Sequence, residues 1–579
     1  MAFDKQALIC GLKALSGTGL MALLAGCGSS GPEGEVLRVA VVSESAAASP
    51  LARHMAQEMT RPRLIERDSA GRIVGGLASS WRFLDDGGAL ILRLRPVKWS
   101  DDRPLVAADV VSAFRRAARP PTPAAGFRMA GVLGADEMAR GQRRATLGVS
   151  AATPRVVEVK LIAPSPLLLE WLAETDMAIM APGARTPPTL ARYTEIPAEA
   201  ANTGLVPVAR LQRRAKEPVP EATPAEVQLL ATAAVDKALA AFRRGELDVV
   251  MGEGLAGLGE ARVAAGRRET LKLDPVAGVY GWRVNALKGP LADAALRRAL
   301  ADVVDRTALT SRFGITGMEP EAGLLPPALR PLPAQLLAEA QAPDPGQESG
   351  QGGVAAGLRR AAGAVGGAVG TVVGGAANVL TGGNRMEEEQ LMARQAEARV
   401  LVLAARLTAA GRTAENGGEA LAARAGDSLP PLSLTLLVPP GREHRTIAER
   451  VAADWRPLGV ELVLKVADPK ERAKLIAAGQ FDLAVDETAT RVMDTAALLQ
   501  RFRCGAGPHC NPAADALLDA ARVAAPAERA RLLAAAELSL LSGPPLIGLF
   551  TPVRWALVSP QVKGWVPNAV GHPLGRLSR

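Results

Sequence analysis

The sequence predicts an α/β protein, in which helices flank a β-sheet. An apolar, β-rich run at residues 35–42 predicts a first strand. Residues 238–246 (ALAAFRRGE) have helical character with a glycine near the end, and LDVV at 247–250 follows as a strand. The C-terminal third repeats this alternation. Its predicted elements are strands at 432–438, 459–464 and 481–485, with helices at 446–458 and 471–478 between them.

The composition is that of a globular chain of two or three domains. The chain has 579 residues, of which 48% are hydrophobic and 22% charged, so it has ample apolar surface for a core. The formal net charge is +9, but the arginines are spread along the chain beside Asp and Glu. No basic run is interleaved with aromatic residues. The charge therefore favours contact with an anionic lipid or ligand at least as much as with nucleic acid.

Residues 1–27 have the character of a secretory signal with a lipobox. Two lysines flank a modest apolar segment that ends in Leu-Ala-Gly-Cys at residues 24–27. In this interpretation the thiol of Cys27 takes the lipid, and residues 28–35 form a flexible tether. The alternative is a short hydrophobic helix with an incidental cysteine. No later segment has the length and apolarity of a membrane span, so the expectation is an exported, lipid-anchored protein.

Residues 73–116 predict a β-hairpin followed by a loop and an amphipathic helix. Apolar and polar residues alternate on both sides of the DDGG cluster at 85–88, as they do on half-buried strands. The cluster predicts a turn because glycine supplies positive φ and Asp can close a local turn. From Ala107 onward, apolar residues recur at near-helical spacing.

As a string, residues 73–116 resemble the signature of the family 5 extracellular solute-binding proteins, the peptide-binding components of bacterial ABC importers. The similarity extends over some forty positions, although Asp102, Arg103 and Val106 depart from the usual pattern. The resemblance implies a periplasmic-binding-protein-like fold of type II. Such a fold has two lobes around a cleft, and the large peptide binders carry an extra domain.

Later segments resemble the same family, notably the strand at 279–285, the run at 289–300 and the tail at 558–565. Residues 346–384 form a low-complexity insertion outside the resemblance, which we expect to be a loop. We therefore expect the following divisions: 1–27 signal peptide; 28–35 tether; 36–65, 196–278 and 553–579 lobe I; 66–195 extra domain; 279–552 lobe II.

The resemblance places two candidate ligand contacts on the strand at 279–285. In the family this strand crosses between the domains, and its aromatic and Asn residues lie at the cleft. Trp282 and Asn285 are therefore candidates for ligand binding. An interdomain structural role for both is the alternative.

Arg491 and Asp494 are the other candidates. In peptide-binding members an Asp that pairs with the ammonium group of the peptide follows the Phe-Asp-Leu strand. Ungapped counting from Phe481 puts Arg491 at this position, with Asp494 three residues on. A guanidinium facing the cleft favours a carboxylate or phosphate by bidentate pairing and disfavours an ammonium. The alternative is that Arg491 is an exposed loop residue.

Two of the four cysteines lie outside the N-terminal region. Cys504 and Cys510 flank a Gly/Pro-rich turn, and in an oxidising compartment a local disulfide is the simplest interpretation. A metal site that also uses His509 is the alternative, although no fourth ligand is evident nearby.

No catalytic motif is recognisable. The four histidines lack His-Glu-x-x-His spacing, and neither a Gly-x-Ser-x-Gly elbow nor a phosphate-binding Gly-x-x-x-x-Gly-Lys motif occurs. The chain is therefore predicted to be a binding protein without a cofactor or metal, not an enzyme.

Two function classes remain. The first is a monomeric, envelope-located lipoprotein that captures a peptide-like or other small, anionic solute and delivers it to an ABC permease and its ATPase. The second is a transport-inactive envelope lipoprotein of the same fold that acts as an interaction or chaperone module. Neither class requires nucleic acid as a partner.

Overall fold

The structure is a computed structural model, and it describes most of the chain after residue 35. The described residues are 36–44, 49–119, 129, 131–142, 144–165, 167–181, 188–198, 204–214, 223–265, 270–330, 384–409, 429–522, 524–571 and 573–578. The expected signal peptide, the lipobox with Cys27, the tether and all but the last residue of the 346–384 insertion lie outside these ranges.

Both strands and helices occur throughout the described ranges. The strands are β1 (Val36–Val42), β2 (Ile65–Arg67), β3 (Ile73–Gly75), β4 (Ala78–Leu84), β5 (Ala89–Leu94), β6 (Val149–Thr153), β7 (Val156–Lys160), β8 (Tyr193–Ile196), β9 (Val206–Arg213), β10 (Glu226–Thr232), β11 (Val249–Gly252), β12 (Leu271–Pro275), β13 (Gly278–Val284), β14 (Leu432–Val438), β15 (Val460–Val466), β16 (Leu483–Ala489), β17 (Leu546–Phe550) and β18 (Val553–Val558).

The helices alternate with these strands. They are α1 (Pro50–Thr60), α2 (Ala107–Ala117), α3 (Ala135–Ala139), α4 (Leu168–Leu172), α5 (Val235–Arg243), α6 (Leu258–Ala265), α7 (Ala294–Asp302), α8 (Arg306–Phe313), α9 (Asn384–Ala409), α10 (Arg442–Trp455), α11 (Pro469–Ala477), α12 (Thr495–Leu499), α13 (Pro512–Ala521) and α14 (Pro526–Leu541). Within the described ranges, none of these helices combines the length and the apolarity that crossing a bilayer requires.

The first large sheet has seven strands in the order β12-β18-β11-β1-β10-β9-β8. Its centre is parallel, because β1 pairs in parallel with both β10 and β11. We call this sheet with α1, α5 and α6 lobe I. The predicted helix and strand at 238–250 are confirmed as α5 and β11. Gly245 follows the helix with φ +75°, the left-handed conformation in which glycine commonly ends helices.

The second large sheet has five strands in the order β15-β14-β16-β13-β17. β14 pairs in parallel with β15 and β16, whereas β13 pairs antiparallel with β16 and β17. We call this sheet with α7, α8 and α10–α14 lobe II. The predicted strands at 432–438 and 459–464 are confirmed.

The strand β16 is longer than the sequence indicated, because it continues through Asp486 and Glu487 to Ala489. Asp is unfavourable in strands, so the sequence signal ended early. The structure compensates for the Asp486 charge with two arginines. Arg283 Nη2 lies 2.8 Å and Arg501 Nη2 lies 2.6 Å from Asp486 Oδ2.

The hairpin region forms a separate four-stranded sheet with the order β4-β5-β7-β6, and α2 packs on it. The predicted turn is present, but Asp85 and Asp86 themselves adopt positive φ, at 53° and 50°. One departure from the family pattern acquires a role here. Arg103 Nη1 lies 2.9 Å from Asp109 Oδ1, and Asp109 accepts the Val106 N–H that precedes α2.

The hydrophobic core runs without a break from lobe I into lobe II. One cluster of buried side chains contains residues of β1 and β11 as well as residues of β14 and α10. The chain crosses between the lobes from β12 to β13 and from β17 to β18. These two crossings lie side by side, since Val276 N–H donates to Pro552 O at 3.1 Å. They are the natural hinge between the lobes.

The depth of the core in lobe II makes a testable prediction. Leu436 on β14 is fully buried, whereas Leu287 is 60% exposed. The substitution Leu436→Ala is expected to lower the free energy of unfolding by about 2–5 kcal/mol, because it removes buried methyl groups and leaves a cavity. Leu287→Ala, the matched control, is expected to stay within about 0.5 kcal/mol of the parent. Urea unfolding followed by circular dichroism measures both, and equal effects would contradict the core assignment.

Candidate functional site

The carboxyl ends of the parallel strands in the two sheets face each other. In lobe I, β1 and β11 end at Val42 and Gly252. In lobe II, β14 ends at Val438. Contacts described below join the residues that follow these strand ends. In open α/β sheets, ligands bind outside the carboxyl ends of the strands. The junction between the lobes is therefore the candidate site.

Polar contacts between described residues join the two lobes at this junction. Leu255 N–H donates to Glu487 Oε2 at 3.3 Å. Gly259 N–H donates to Glu443 Oε1 at 3.0 Å. An ion pair joins Arg472 Nη2 to Glu44 Oε2 at 2.6 Å. Each contact has one partner in lobe II and the other in a segment that follows β1 or β11 in lobe I.

Two of the carboxylates at the junction serve helix N-termini. Glu443 of lobe II accepts the Gly259 amide in the first turn of α6, which belongs to lobe I. Glu253 of lobe I accepts the Leu51 amide at the start of α1, at 2.6 Å. Free amides and the helix dipole favour a carboxylate at such positions. One of these capping contacts therefore depends on the two lobes being together.

Glu487 is the group at the junction whose titration is most perturbed. Burial raises its pKa to about 8, and the carboxylates of Glu44, Glu253 and Asp486 add to the rise. The Leu255 amide opposes this shift but does not cancel it. The carboxyl group is therefore mainly protonated at neutral pH. The backbone of Gly254 comes so close that a Cβ there would lie 2.5 Å from Glu487 Oε2.

An aromatic group supports the lobe II side of the junction. The ring of Tyr280 stacks on Phe550 with centroids 4.5 Å apart, and its hydroxyl lies 2.8 Å from His444 Nδ1. Burial, assisted by the charge of Arg472, lowers the pKa of His444 to about 4. The imidazole is therefore neutral, and its Nδ1 shares a hydrogen bond with the Tyr280 hydroxyl.

A cavity of about 180 Å³ lies at the carboxyl ends of β14 and β15. Its lining consists of Val438, Pro439, Pro440, Gly441, Arg445, Leu464 and Val466. A Cβ at Gly441 would lie 3.6 Å from the Cβ of Ala256 in lobe I, so the cavity adjoins the junction. It combines an apolar wall with one guanidinium group.

A second cavity, of about 20 Å³, lies where lobe I, the hairpin region and lobe II meet. We call it the arginine cavity. Its charged lining residues are Glu58, Arg63, Arg67, Glu174 and Arg491. Burial alone would raise the pKa of Glu58, but His54, Arg63 and Arg491 outweigh burial and hold this pKa below its ordinary value.

The structure places Trp282 and Asn285 inside lobe II. Trp282 has no exposed surface, and its ring meets Trp455 edge to face at 5.5 Å. Asn285 is 3% exposed, and its Nδ2 donates to the carbonyls of Gly479 and Phe481. Both side chains therefore contact other residues of lobe II and not the space between the lobes. A structural role for both was the alternative to ligand binding.

Arg491 and Asp494 have separate surroundings. Arg491 lines the arginine cavity. Asp494 is buried, accepts the Ala496 amide at the start of α12 and pairs with Arg529 Nη2 at 3.0 Å. Asp494 therefore anchors a helix, whereas Arg491 lies at the arginine cavity.

The cysteine pair forms a disulfide in the structure, with the sulfurs of Cys504 and Cys510 bonded to each other. His509, the third residue considered for a metal site, has its Nε2 2.5 Å from Phe502 O. In the part of the chain that the structure describes, no group of three or more His, Cys, Asp or Glu side chains could hold a metal ion.

Sequence reasoning missed Glu487, Glu443 and Arg63. Glu487 lay beyond the predicted end of β16, and Glu443 precedes the predicted start of α10. Arg63 follows α1, a helix that the sequence did not indicate. One available signal was the pair of acidic residues continuing the Phe-Asp-Leu strand, because a charge in a buried strand requires a partner.

Comparison with known proteins finds similarity to bacterial solute-binding proteins. A model of the family described as "Bacterial extracellular solute-binding proteins, family 5 Middle" matches residues 72–348. The periplasmic oligopeptide-binding protein OppA of Escherichia coli is 25% identical over 277 residues, which are 46% of this chain and 50% of OppA. The probable deoxycholate-binding periplasmic protein YgiS of Escherichia coli is 36% identical over 115 residues, 19% of this chain and 22% of YgiS. The chain thus matches half or less of the length of these curated relatives.

A solved structure extends the similarity over nearly the whole chain. Haemophilus influenzae OppA, in complex with the peptide RPPGFSPFR, has a TM-score of 0.67 at 19% identity and covers 94% of this chain and 99% of its own. The α/β fold of the large peptide-binder class is thereby confirmed. The fold and the facing sheet ends define a two-lobed α/β protein. The similarity to the bacterial extracellular solute-binding proteins of family 5 thus covers residues 72–348 of this chain.

The raised pKa of Glu487 predicts a pH dependence of stability. Between about pH 4.5, its ordinary value, and about pH 8, the folded protein holds a proton that the unfolded chain has released. The free energy of unfolding therefore falls as pH rises through this window. The unfolding equilibrium constant rises by up to about tenfold per pH unit. Glu487→Gln mimics the protonated form, so we expect its stability to fall less over the same window.

The control is Glu461→Gln, which changes an exposed glutamate on the neighbouring strand β15. It is expected to keep the pH profile of the parent. Urea unfolding at a series of pH values measures all three proteins. Parallel profiles for the parent and Glu487→Gln would show that Glu487 is not protonated preferentially in the folded state.

Proposed function

We propose that the chain is the extracytoplasmic solute-binding component of an ABC importer. It captures a peptide-like solute between its lobes and delivers it to a permease driven by an ATPase. The observation that carries this proposal is the junction itself, where the carboxyl ends of both sheets meet in a chain whose residues 72–348 match the family 5 binding proteins. The peptide complex of the structurally similar Haemophilus influenzae OppA supports the choice of solute class.

Capture follows from the way the lobes are joined. The two adjacent chain crossings allow one lobe to rotate relative to the other, in a hinge motion. The contacts of Glu487, Glu443 and Arg472 hold the lobes together in the structure. A solute that binds both lobes shifts the open–closed equilibrium toward the closed form by its differential affinity.

The chemistry of the junction suits a peptide-like ligand. A neutral carboxyl group at Glu487 can donate as well as accept a hydrogen bond, as a peptide backbone requires of its partner. The adjoining cavity offers an apolar wall beside Arg445 for a side chain or a carboxylate. Trp282 and Asn285 would then support the strand β13 from inside the lobe rather than touch the solute.

The remaining parts of the proposal concern location and organisation. We infer export and anchoring through a lipid on Cys27, as the Leu-Ala-Gly-Cys sequence indicates. We also infer that the chain works as a monomer. We further infer that residues 66–195 form the extra domain, an inference that the separate sheet of the hairpin region supports.

Identification of a copurifying solute tests the function directly. The protein, expressed with its signal sequence and released by gentle detergent extraction, is analysed by native mass spectrometry. We expect the protein to carry a discrete added mass, that of the bound solute. Partial unfolding should release this mass, and incubation of the refolded protein with a peptide mixture should restore an added mass. A protein that carries no solute and binds none of a peptide library in calorimetry would instead favour the transport-inactive interaction module.

The Arg472–Glu44 ion pair predicts a change in the open–closed equilibrium. Both side chains are partly buried, at 17% and 27% exposure, and they join the two lobes. Arg472→Ala should favour the open form by about 1 kcal/mol, or roughly fivefold. Small-angle X-ray scattering should then show a larger radius of gyration without solute.

Arg503→Ala is the matched control, since Arg503 pairs with Asp519 at 2.7 Å within lobe II. Its radius of gyration is expected to equal that of the parent. An unchanged radius in Arg472→Ala at low ionic strength would mean that the ion pair does not contribute to closure.

A further inference from the structure

The arginine cavity contains cationic groups that the chain itself does not satisfy. Arg63 is 7% exposed and lines the cavity. Its Nε and Nη1 are buried and have no hydrogen-bond partner within the described part of the chain. A buried charged donor left unpaired is costly, and native structures rarely retain one without a ligand or ordered water.

Arg67 presents a second set of unpaired donors. Its Nη2 bonds to Glu170 Oε2 at 2.7 Å, to Glu174 Oε1 at 3.3 Å and to the carbonyl of Arg491 at 2.9 Å. The Nε and Nη1 of the same guanidinium are buried and have no partner among the described residues. One edge of Arg67 is therefore held by carboxylates, while its other nitrogens remain available.

Among the residues that line the cavity, guanidinium groups outnumber carboxylates, although Glu170, outside the lining, also pairs with Arg67. The lining carries three guanidinium groups, from Arg63, Arg67 and Arg491, and two carboxylates, from Glu58 and Glu174. The cavity has room for about one water-sized group. A single oxygen of an anionic group fits this space, and such an oxygen accepts hydrogen bonds from several guanidinium nitrogens at once.

We propose that the arginine cavity is an oxyanion subsite that receives a carboxylate or phosphate group of the bound solute. This inference rests on the proposed function, since it assigns the group to the solute. Arginine suits the role because it stays charged and its planar donors match carboxylate and phosphate oxygens. The source of the oxyanion, carboxylate or phosphate, is distinguished by the probes below.

The position of the cavity links the oxyanion to closure of the lobes. Arg63 follows α1 of lobe I, Arg67 lies on β2, and Arg491 follows β16 of lobe II. An oxyanion that accepts from all three arginines bridges parts of the chain that separate when the lobes open. Its binding energy therefore favours the closed form.

Arg63→Gln tests the assignment with sodium phosphate and sodium acetate as probes, each compared with sodium chloride at equal ionic strength. The parent protein should bind phosphate or acetate in calorimetry and show a higher unfolding temperature than in chloride. The variant should lose about 10- to 100-fold in oxyanion affinity, the typical effect of losing hydrogen bonds to a charged group.

A second measurement separates a ligand role from a structural role for Arg63. Without an oxyanion, Arg63→Gln should change the unfolding temperature little, because the Nε and Nη1 donors that it removes have no partners and Glu58 keeps His54 and Arg491 nearby. Arg67→Gln should unfold at a lower temperature, since Arg67 holds Glu170 and Glu174. Arg503 pairs with Asp519 within lobe II and does not line the cavity. Arg503→Gln should therefore keep the oxyanion affinity of the parent.

An equal response to chloride, or a parental response in Arg63→Gln, would overturn the oxyanion subsite. A solute found by native mass spectrometry that binds parent and Arg63→Gln equally would also overturn it, while the proposed transport function stands. Conversely, oxyanion binding that requires Arg63 in a protein that binds no solute would remove the transport function and leave the oxyanion site.

Discussion

The facing carboxyl ends of the two sheets are the constraint on which the rest of the structure depends. Parallel strands deliver their following loops to one edge, so Glu44 and Glu253 of lobe I reach the same junction as Glu443 and Glu487 of lobe II. Several carboxyl groups therefore meet in a small, poorly hydrated space. The protein accommodates them by pairing one with Arg472, placing two at helix N-termini and leaving Glu487 protonated.

The charged groups are distributed unevenly between two centres. The main junction is rich in carboxyl groups, whereas the arginine cavity has an excess of guanidinium groups. A zwitterionic solute has complementary ends of its own, and a peptide is such a molecule. Both centres involve the carboxyl end of β16, since Glu487 belongs to this strand and Arg491 follows it. The end of this one strand thus carries an acidic residue, Glu487, and a basic residue, Arg491, near the space between the lobes.

The fold was largely predictable, because hydrophobic periodicity is a local property that survives in strands such as β15. The resemblance of residues 73–116 to the family identified the fold class before any contact was known. The contacts of the site were not predictable, because Leu255 and Glu487 are separated by 232 positions in the chain. The alternation around Trp282 defined a strand but not which of its faces is internal. The end of β16 was not predictable either. Asp486 is tolerated in the strand only because two arginines distant in sequence neutralise its charge.

The cap that Glu443 places on α6 has a consequence for how opening could be observed. When the lobes part, the Gly259 amide loses its carboxylate and faces water, although the rest of α6 stays folded. The Leu255 amide likewise loses Glu487. Hydrogen exchange at these two backbone positions should therefore follow the population of the open form rather than global unfolding. Exchange at these two amides would therefore report the motion of the lobes without an attached probe or a known solute.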